Sequence, residues 1–506
     1  LNIEHFANLL VPISVFVLVF WTKRIILSLV VGILVGALIV NWADVLHIPV
    51  YIFQKVLSVF YFPAENGGIE INWYAIYIFI FLIILGILPQ MFIHSGGIDA
   101  FVAWARNKVK DTRSSEFLIF FAGIVIFIDD QFNALTLGRS VRPLSDVSGI
   151  SRERLAYIID STSAPVCILI PLSSWGAYII GILEGSLPKG VEQIPLIVLI
   201  ESIGLNFYAW FALLMVFLTI LWRINLPVMH RNINVNIEQG QVGEINPDGS
   251  IWALVIPIIA LAFGTLAMIF LTGYLNTHST EIFMILSNTN TAFSVFFGGI
   301  LALLSSLVIS KIKRSEYKNI FKNGVRISLP SVVILILAWA IGSIVRDDLQ
   351  TGEYLSSLAK SFLGGGGMDF VPLFLFVVSI FIAFMTGTSW GCFAVMIPIG
   401  VDLALSNGGN VSLALSAVLA GAIFGDHTSP ISDTTILSSA GTGCSVQSHF
   451  ITQLPYASIG MFCSLVSFVV FAITQSPILS FVIGGTLLVL VCYVLKRCYG
   501  DELKIG

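Results

Sequence analysis

The residues best placed to do chemistry in this chain are carboxylates set inside apolar sequence, and the phrases that hold them repeat. Asp160-Ser161-Thr162-Ser163-Ala164-Pro165, followed after six residues by Leu172-Ser173-Ser174, returns as Asp426-His427-Thr428-Ser429-Pro430, followed after six by Leu437-Ser438-Ser439. A proline and a run of hydroxyls interrupt a helix and free backbone carbonyls. In hydrocarbon such interruptions are tolerated only where protein or a water-lined cavity covers the polar atoms, so they mark candidate binding sites. Two copies point to a transporter built from two repeats.

A third polar cluster, Asp129-Asp130-Gln131-Phe132-Asn133, follows an apolar run broken only by Gly123. A charged side chain at mid-bilayer costs about 2.5–3.5 kcal/mol on insertion scales, so two adjacent carboxylates call for a cation, a proton or a partner. No lysine or arginine is expected at that depth. If the segment is helical, Asp129 and Asn133 share a face and only one of the two aspartates is a direct ligand; the other reading for either is a helix cap. At the first break, Asp160, Ser161, Thr162 and Ser163 offer hard oxygens suited to a small cation, although Thr162 or Ser163 could simply cap a helix half. Na+ is therefore placed at Asp130, Asn133, Asp160 and Thr162, with Asp130 or Asp160 alternating between Na+ and a proton.

In the second half, Thr386-Gly387-Thr388-Ser389-Trp390-Gly391 stands where the aspartate pair stood. Its glycines and hydroxyls permit close backbone approach, and the helix N-terminus beyond them could receive an anionic group or cap itself. Asp426 and Asp433 join the ion- and proton-binding set, with His427 either a proton carrier or a structural hydrogen-bond partner. Ser163, Trp175, Thr386, Thr388, Ser389, Trp390, Thr428, Ser429 and Ser432 form the expected substrate cavity. Trp175 and Trp390 could equally be packing residues. Five carboxylates against one histidine make this cavity cation-seeking. Glu201 and the Arg346-Asp347-Asp348 cluster are read as peripheral, the latter as solvated ion pairs.

The elements that must position these residues are legible in the composition. With 57% hydrophobic and 11% charged residues among 506 and a mean hydropathy of +0.95, the chain reads as an all-α polytopic membrane protein. The first apolar run lacks a basic leader, so no cleavable signal peptide is expected. The six cysteines have no CxxC spacing and read as packing residues. Without a patched basic domain or a phosphate loop, neither nucleic-acid binding nor ATP drive is expected, nor any catalytic constellation, so the chain is not read as an enzyme and no cofactor is implied.

Apolar runs place crossings at 7–21, 25–41, 73–94, 155–183, 195–222, 251–272, 291–310, 327–345, 412–440, 454–474 and 477–495, with 117–138 and 370–402 as hairpins that enter the membrane and return. That assignment leaves only Lys55, Lys189, Arg346 and Lys360 of the 25 basic residues opposite the main basic side, among whose flanks are Lys23, Lys108, Lys110 and Lys504. By the positive-inside rule the N-terminus is outside and the C-terminus cytoplasmic. The first hairpin then opens from the cytoplasm and the second from outside, the pattern of inverted-topology repeats, each with a re-entrant hairpin and a discontinuous helix. The expected organisation is N-terminal helices and outer loop (1–72), first repeat (73–194), connecting helices with a cytoplasmic loop at 223–250 (195–326), second repeat (327–440) and C-terminal helices (441–506).

At these motifs the chain resembles the NhaC family of bacterial Na+/H+ antiporters, within the wider ion-transporter grouping. The carrying phrases are Ile128 to Asn133, Arg142 to Asp146, Ile150 to Tyr157, Asp160 to Cys167 and Gly425 to Leu437. The resemblance implies Na+-linked exchange in a bacterial cytoplasmic (inner) membrane. Because that family also holds transporters of organic anions and amino acids, the alternative is Na+- or H+-coupled carriage of an amino acid or small organic carboxylate. The expected partners are membrane lipid, Na+, H+ and such a solute, with a homodimer as a compatible assembly.

Overall fold

A computed structural model describes the chain except residues 1–9, 23, 64–67, 107–108, 110, 189–192, 232–248, 282–283, 286–287, 350–367, 407 and 501–506. The linker expected at 223–250 falls mostly outside the described residues, as do Lys23, Lys108, Lys110, Lys189, Lys360 and Lys504 of the charge pattern. The described part is helical apart from one antiparallel pair, Tyr61–Pro63 with Ile69–Ile71. Seven helices are long and apolar enough to cross a membrane, and two bent pairs raise the number to nine.

Burial sorts the helices into a core and a shell. Every residue of Val411–His427 is buried, and so is all of Arg152–Ser161 but its first residue. Around them, Trp252–Thr277, Thr291–Ile309 and Pro477–Tyr499 turn large apolar side chains outward, among them Phe263 at 71%, Val308 at 85% and Ile478 at 78% exposure. Apolar surface on that scale would be untenable in water and suits lipid. The molecule is a multi-pass membrane protein.

Each expected crossing coincides with helix, with differences that matter at the site. The segment 155–183 is interrupted twice: Arg152–Ser161, Ala164–Leu169 and Ser174–Ser186 follow one another, and the last is bent by 41° from the first pair. Pro165 lies in the first turn of the middle piece, and Pro171 lies in the second interruption. The segment 195–222 is two helices, Pro195–Leu205 and Phe207–Leu221, bent by 46° at Asn206, whose side chain accepts from the Ala209 amide. The crossing expected at 327–345 starts already at Tyr317, so the division at 326/327 cuts a continuous helix, Tyr317–Ser343. The one expected at 454–474 starts at Val446, bringing His449 and Gln453 into a helix interior.

Both hairpin segments are helix–turn–helix units. In the first, Thr112–Val125 passes through extended residues into Asp130–Phe132, a π turn at Asn133–Leu137 and the helix Gly138–Val147. In the second, Val371–Thr386 ends at Gly387 and Ser389–Ser406 follows. Gly387 holds φ +67° against the Ile431 carbonyl, where a Cβ would be both strained and blocked. After Val411–His427 comes a short break and then Asp433–Thr442. A further close approach joins Trp73–His94 to Tyr317–Ser343: a Cβ on Gly86 would run into the Gly324 carbonyl and the Ser328 side chain.

Candidate functional site

Asp129 and Asp130 face different partners. Asp129 caps the helical turn that follows, accepting from the Phe132 amide at 2.9 Å, and its other oxygen accepts from the Ser174 hydroxyl at 3.0 Å. The cap alternative therefore describes Asp129. Asp130 is buried and accepts from the Trp175 indole at 2.9 Å, with the Asp129, Asp433 and Asp426 carboxylates as its charged neighbours. Asn133 does not share a target with Asp129. Its amide nitrogen donates to the carbonyls of Gly123 at 2.8 Å, Ile126 at 3.1 Å and Thr162 at 3.1 Å, tying the hairpin tip to the first helix break.

The first break holds a second polar cluster around Asp160. One carboxylate oxygen accepts from Gln453 at 2.6 Å and faces His449 Nε2 at 3.2 Å, with His427 Nε2 at 3.9 Å. Gln453 also donates to the His427 carbonyl at 2.6 Å. Both His427 ring nitrogens are engaged, Nε2 with the Ser161 hydroxyl at 3.1 Å and Nδ1 with the Tyr208 hydroxyl at 2.9 Å. The expectation of a single histidine near the carboxylates is thus corrected. His449 was missed because its stretch, Val446-Gln447-Ser448-His449, is too polar to read as a crossing on its own; its i, i+4 spacing to Gln453 was the available signal.

In the second half, the N-terminus of Ser389–Ser406 does receive an anion, and that anion is Asp426. Its carboxylate accepts from the Ser389 amide at 3.0 Å, the Ser389 hydroxyl at 2.8 Å and the Ser432 hydroxyl. Ser432 also caps Asp433–Thr442. Asp433 takes the Gln131 amide of the first hairpin at 2.7 Å, so the two halves meet through a side-chain hydrogen bond. The Trp175 and Trp390 rings meet edge to face at 6.1 Å, and Tyr178 donates to the Trp390 carbonyl at 3.2 Å.

A cavity of about 430 Å³ opens beside these groups, lined by Asp129, Gln131, Ser174, Arg326, Ser328, Thr388, Trp390 and Asp433 together with Leu82, Leu85 and Ile334. Of the residues expected to line a substrate cavity, Thr388 and Trp390 do so. Several of the others are engaged elsewhere: Ser163 donates to the Asp160 carbonyl, Thr386 to Ala383 and Thr388, Thr428 to Phe424 and Ser429 to Phe384. Arg326, expected on a basic flank, is exposed and also lines this cavity with Asp129 and Asp433. It was assigned to a flank because the apolar run begins after it, whereas the helix runs through it and the Gly86 contact brings it to the cavity wall.

The oxygens expected to hold Na+ lie in two places. Asp130 faces Trp175, whereas Asn133, Asp160 and Thr162 gather at the first break; the Thr162 hydroxyl donates to the Ile158 carbonyl at 2.8 Å. Among the described residues no three His, Cys, Asp or Glu side chains converge as metal ligands. Away from this centre, Arg154 forms a buried pair with Glu116 at 3.0 Å, and Lys55 pairs with Asp348 at 2.6 Å.

Interrupted helices meeting at buried carboxylates beside a cavity, inside a lipid-facing bundle, define a secondary transporter. The chain belongs to the Na+/H+ antiporter family, whose model matches residues 166–473. An "uncharacterized protein" of Haemophilus influenzae is 35% identical over 490 residues, 94% of this chain and 92% of that one. The malate-2H(+)/Na(+)-lactate antiporter of Bacillus subtilis is 28% identical over 179 residues, 34% of each chain. The Alcanivorax borkumensis YdaH transporter has the same fold, with a TM-score of 0.56 at 13% identity over 85% of this chain and 90% of its own.

Proposed function

We propose that the protein exchanges Na+ against H+ by alternating access, with aspartates taking each cation in turn. The observation that carries this reading is the set of buried carboxylates Asp130, Asp160 and Asp426, each at or beside a helix interruption and none facing a lysine or arginine within ion-pair distance among the described residues. A buried carboxylate without a fixed counter-charge is stabilised by whichever small cation reaches it, so Na+ and H+ compete for it. The two helix–turn–helix units and two broken helices support an inverted pair of repeats whose hairpins enter from opposite faces. In that arrangement the N-terminus is outside and the C-terminus lies in the cytoplasm of a bacterial cell. Na+ and H+ are cargo, no cofactor takes part, and any unequal exchange draws on about 2.3 kcal/mol per 100 mV for each net charge.

The second reading, Na+- or H+-coupled carriage of an amino acid or small organic carboxylate, is favoured by the cavity. Its volume of about 430 Å³ is far larger than a bare ion needs and falls in the range of small-molecule sites. Arg326 shares its wall with Asp129 and Asp433, which suits a solute carrying both charges. Purified protein in proteoliposomes with an imposed pH gradient, challenged with Na+, Li+, K+ and a panel of amino and organic acids, tests both. Collapse of the gradient on Na+ alone is the expected result. Collapse only when an organic solute is present would replace the first reading with the second, and no response to any of them would sink both.

A further inference from the structure

Five buried side-chain oxygens, on elements at the first helix break or packed against it, have no hydrogen-bond partner: Asn133 Oδ1, Asp160 Oδ1, Thr435 Oγ1, Ser438 Oγ and Gln453 Oε1. All five residues are at most 1% exposed. Buried polar atoms are almost always satisfied, so a group of orphans calls for an unseen occupant.

These oxygens come from four elements, of which Asp433–Thr442 packs on each of the other three: the π turn Asn133–Leu137, Arg152–Ser161 and Val446–Thr474. Bridges hold them in register. Asn133 donates to the Thr162 carbonyl at 3.1 Å and Gln453 to Asp160 at 2.6 Å, while Gly441 lies against the carbonyls of Ala134 and Leu135. The two amide orientations are forced. The Asn133 nitrogen has three carbonyl acceptors, and the Gln453 nitrogen has a carboxylate and a carbonyl. Flipping either amide would set oxygen against oxygen, so both amide oxygens must face elsewhere.

The chemistry of the donors selects the occupant. One carboxylate, two amide oxygens and two hydroxyls form an all-oxygen, hard set with a single negative charge. That charge matches a monovalent cation, and a divalent ion would ask for more carboxylates. Resting on the Na+ coupling proposed above, we infer that Na+ binds between the first helix break and Asp433–Thr442, held by Asp160, Asn133, Gln453, Thr435 and Ser438. This site moves the ion away from Asp130, whose oxygen faces Trp175, and adds ligands from the second half and from the C-terminal helix. Na+ would then hold together three parts of the chain that alternate access must rearrange.

Thr435 and Ser438 give the sharpest test, because their hydroxyl oxygens make no bond within the protein. Binding of radioactive Na+ to purified protein is measured at constant ionic strength, with melting temperature recorded without Na+. Thr435→Val and Ser438→Ala should each raise the Na+ Kd by roughly tenfold or more, since loss of even a group that only orients a ligand costs about that in metal sites. Without Na+ they should melt no lower than wild type, since an orphan hydroxyl has been replaced by apolar atoms. Ser464→Ala, which removes a buried hydroxyl bonded to the Gly460 carbonyl on the same helix as Gln453, should keep the wild-type Kd. A Thr435→Val/Ser438→Ala double variant that binds Na+ like wild type overturns the site while leaving Na+ coupling intact. Absence of saturable Na+ binding in the wild type overturns both.

Discussion

Adjacent in the chain, Asp129 and Asp130 do different work because only one of them starts a helix. Asp129 has extended backbone and caps the next turn, which leaves its carboxylate at the cavity wall beside Ser174. Asp130, one residue on, is helical and points inward to Trp175. Arg326 lines the same cavity. If the cavity binds an organic carboxylate, Arg326→Gln should raise its KM by roughly tenfold, the order of one charge-assisted hydrogen bond, and Arg326→Lys should recover part of the loss. Uptake of a labelled solute from the transport panel reads this directly. An unchanged KM in Arg326→Gln would remove the arginine from the binding role.

Helix interruptions place these residues, and close backbone contacts hold the interruptions. The first broken helix has two gaps, and each is tied to the neighbouring hairpin: Asn133 bonds the Thr162 carbonyl, and the Ser174 amide bonds the Ile128 carbonyl at 2.8 Å. The repeated phrase Leu-Ser-Ser shows how context decides. In the first copy Ser173 caps Ser174–Ser186 and Ser174 reaches Asp129; in the second, Ser438 and Ser439 sit inside a continuous helix. The contact of Gly86 with Gly324 sets the cavity's far wall. Gly86→Leu should force Trp73–His94 away from Tyr317–Ser343 and destabilise the protein by about 1–3 kcal/mol, the usual range for overpacking. A lowered melting temperature in detergent is the expected readout; a wild-type value would mean that the helices have room to part.

At the scale of the whole molecule, the broken helices lie in the core together with Trp73–His94 and Ser389–Ser406, and Trp252–Thr277, Thr291–Ile309 and Pro477–Tyr499 form the lipid-facing shell. Polar groups are thereby screened from hydrocarbon, as an irregular backbone in a membrane requires. Contacts between the halves include specific polar and aromatic pairs: Gln131 with Asp433, Ser161 with His427, and Trp175 with Trp390. Orientation is testable with the native cysteines, since Cys498 is exposed while the other five are buried or half-buried. A membrane-impermeant maleimide should label Cys498 in inside-out vesicles and leave it unlabelled in right-side-out ones. The reverse pattern would put the C-terminus outside and invert the proposed topology.

The sequence by itself determined the helical membrane class, which segments are helical, the turns within 117–138 and 370–402 and the breaks at Asp160 and Asp426. Those follow from local properties: apolar run length, proline and hydroxyl punctuation, and the spacing of basic flanks. It also marked Asp129, Asp130, Asp160, Asp426 and Asp433 as exceptional, because a carboxylate in apolar sequence is costly wherever it folds. Only the tertiary structure decided what those carboxylates face. His449, Gln453 and Tyr208 reach the Asp160–His427 cluster from helices remote in sequence, and Arg326 reaches the cavity through a glycine contact between two others. A side chain's partners across a packed interface depend on helix rotation and approach distance, which no local pattern of residues encodes.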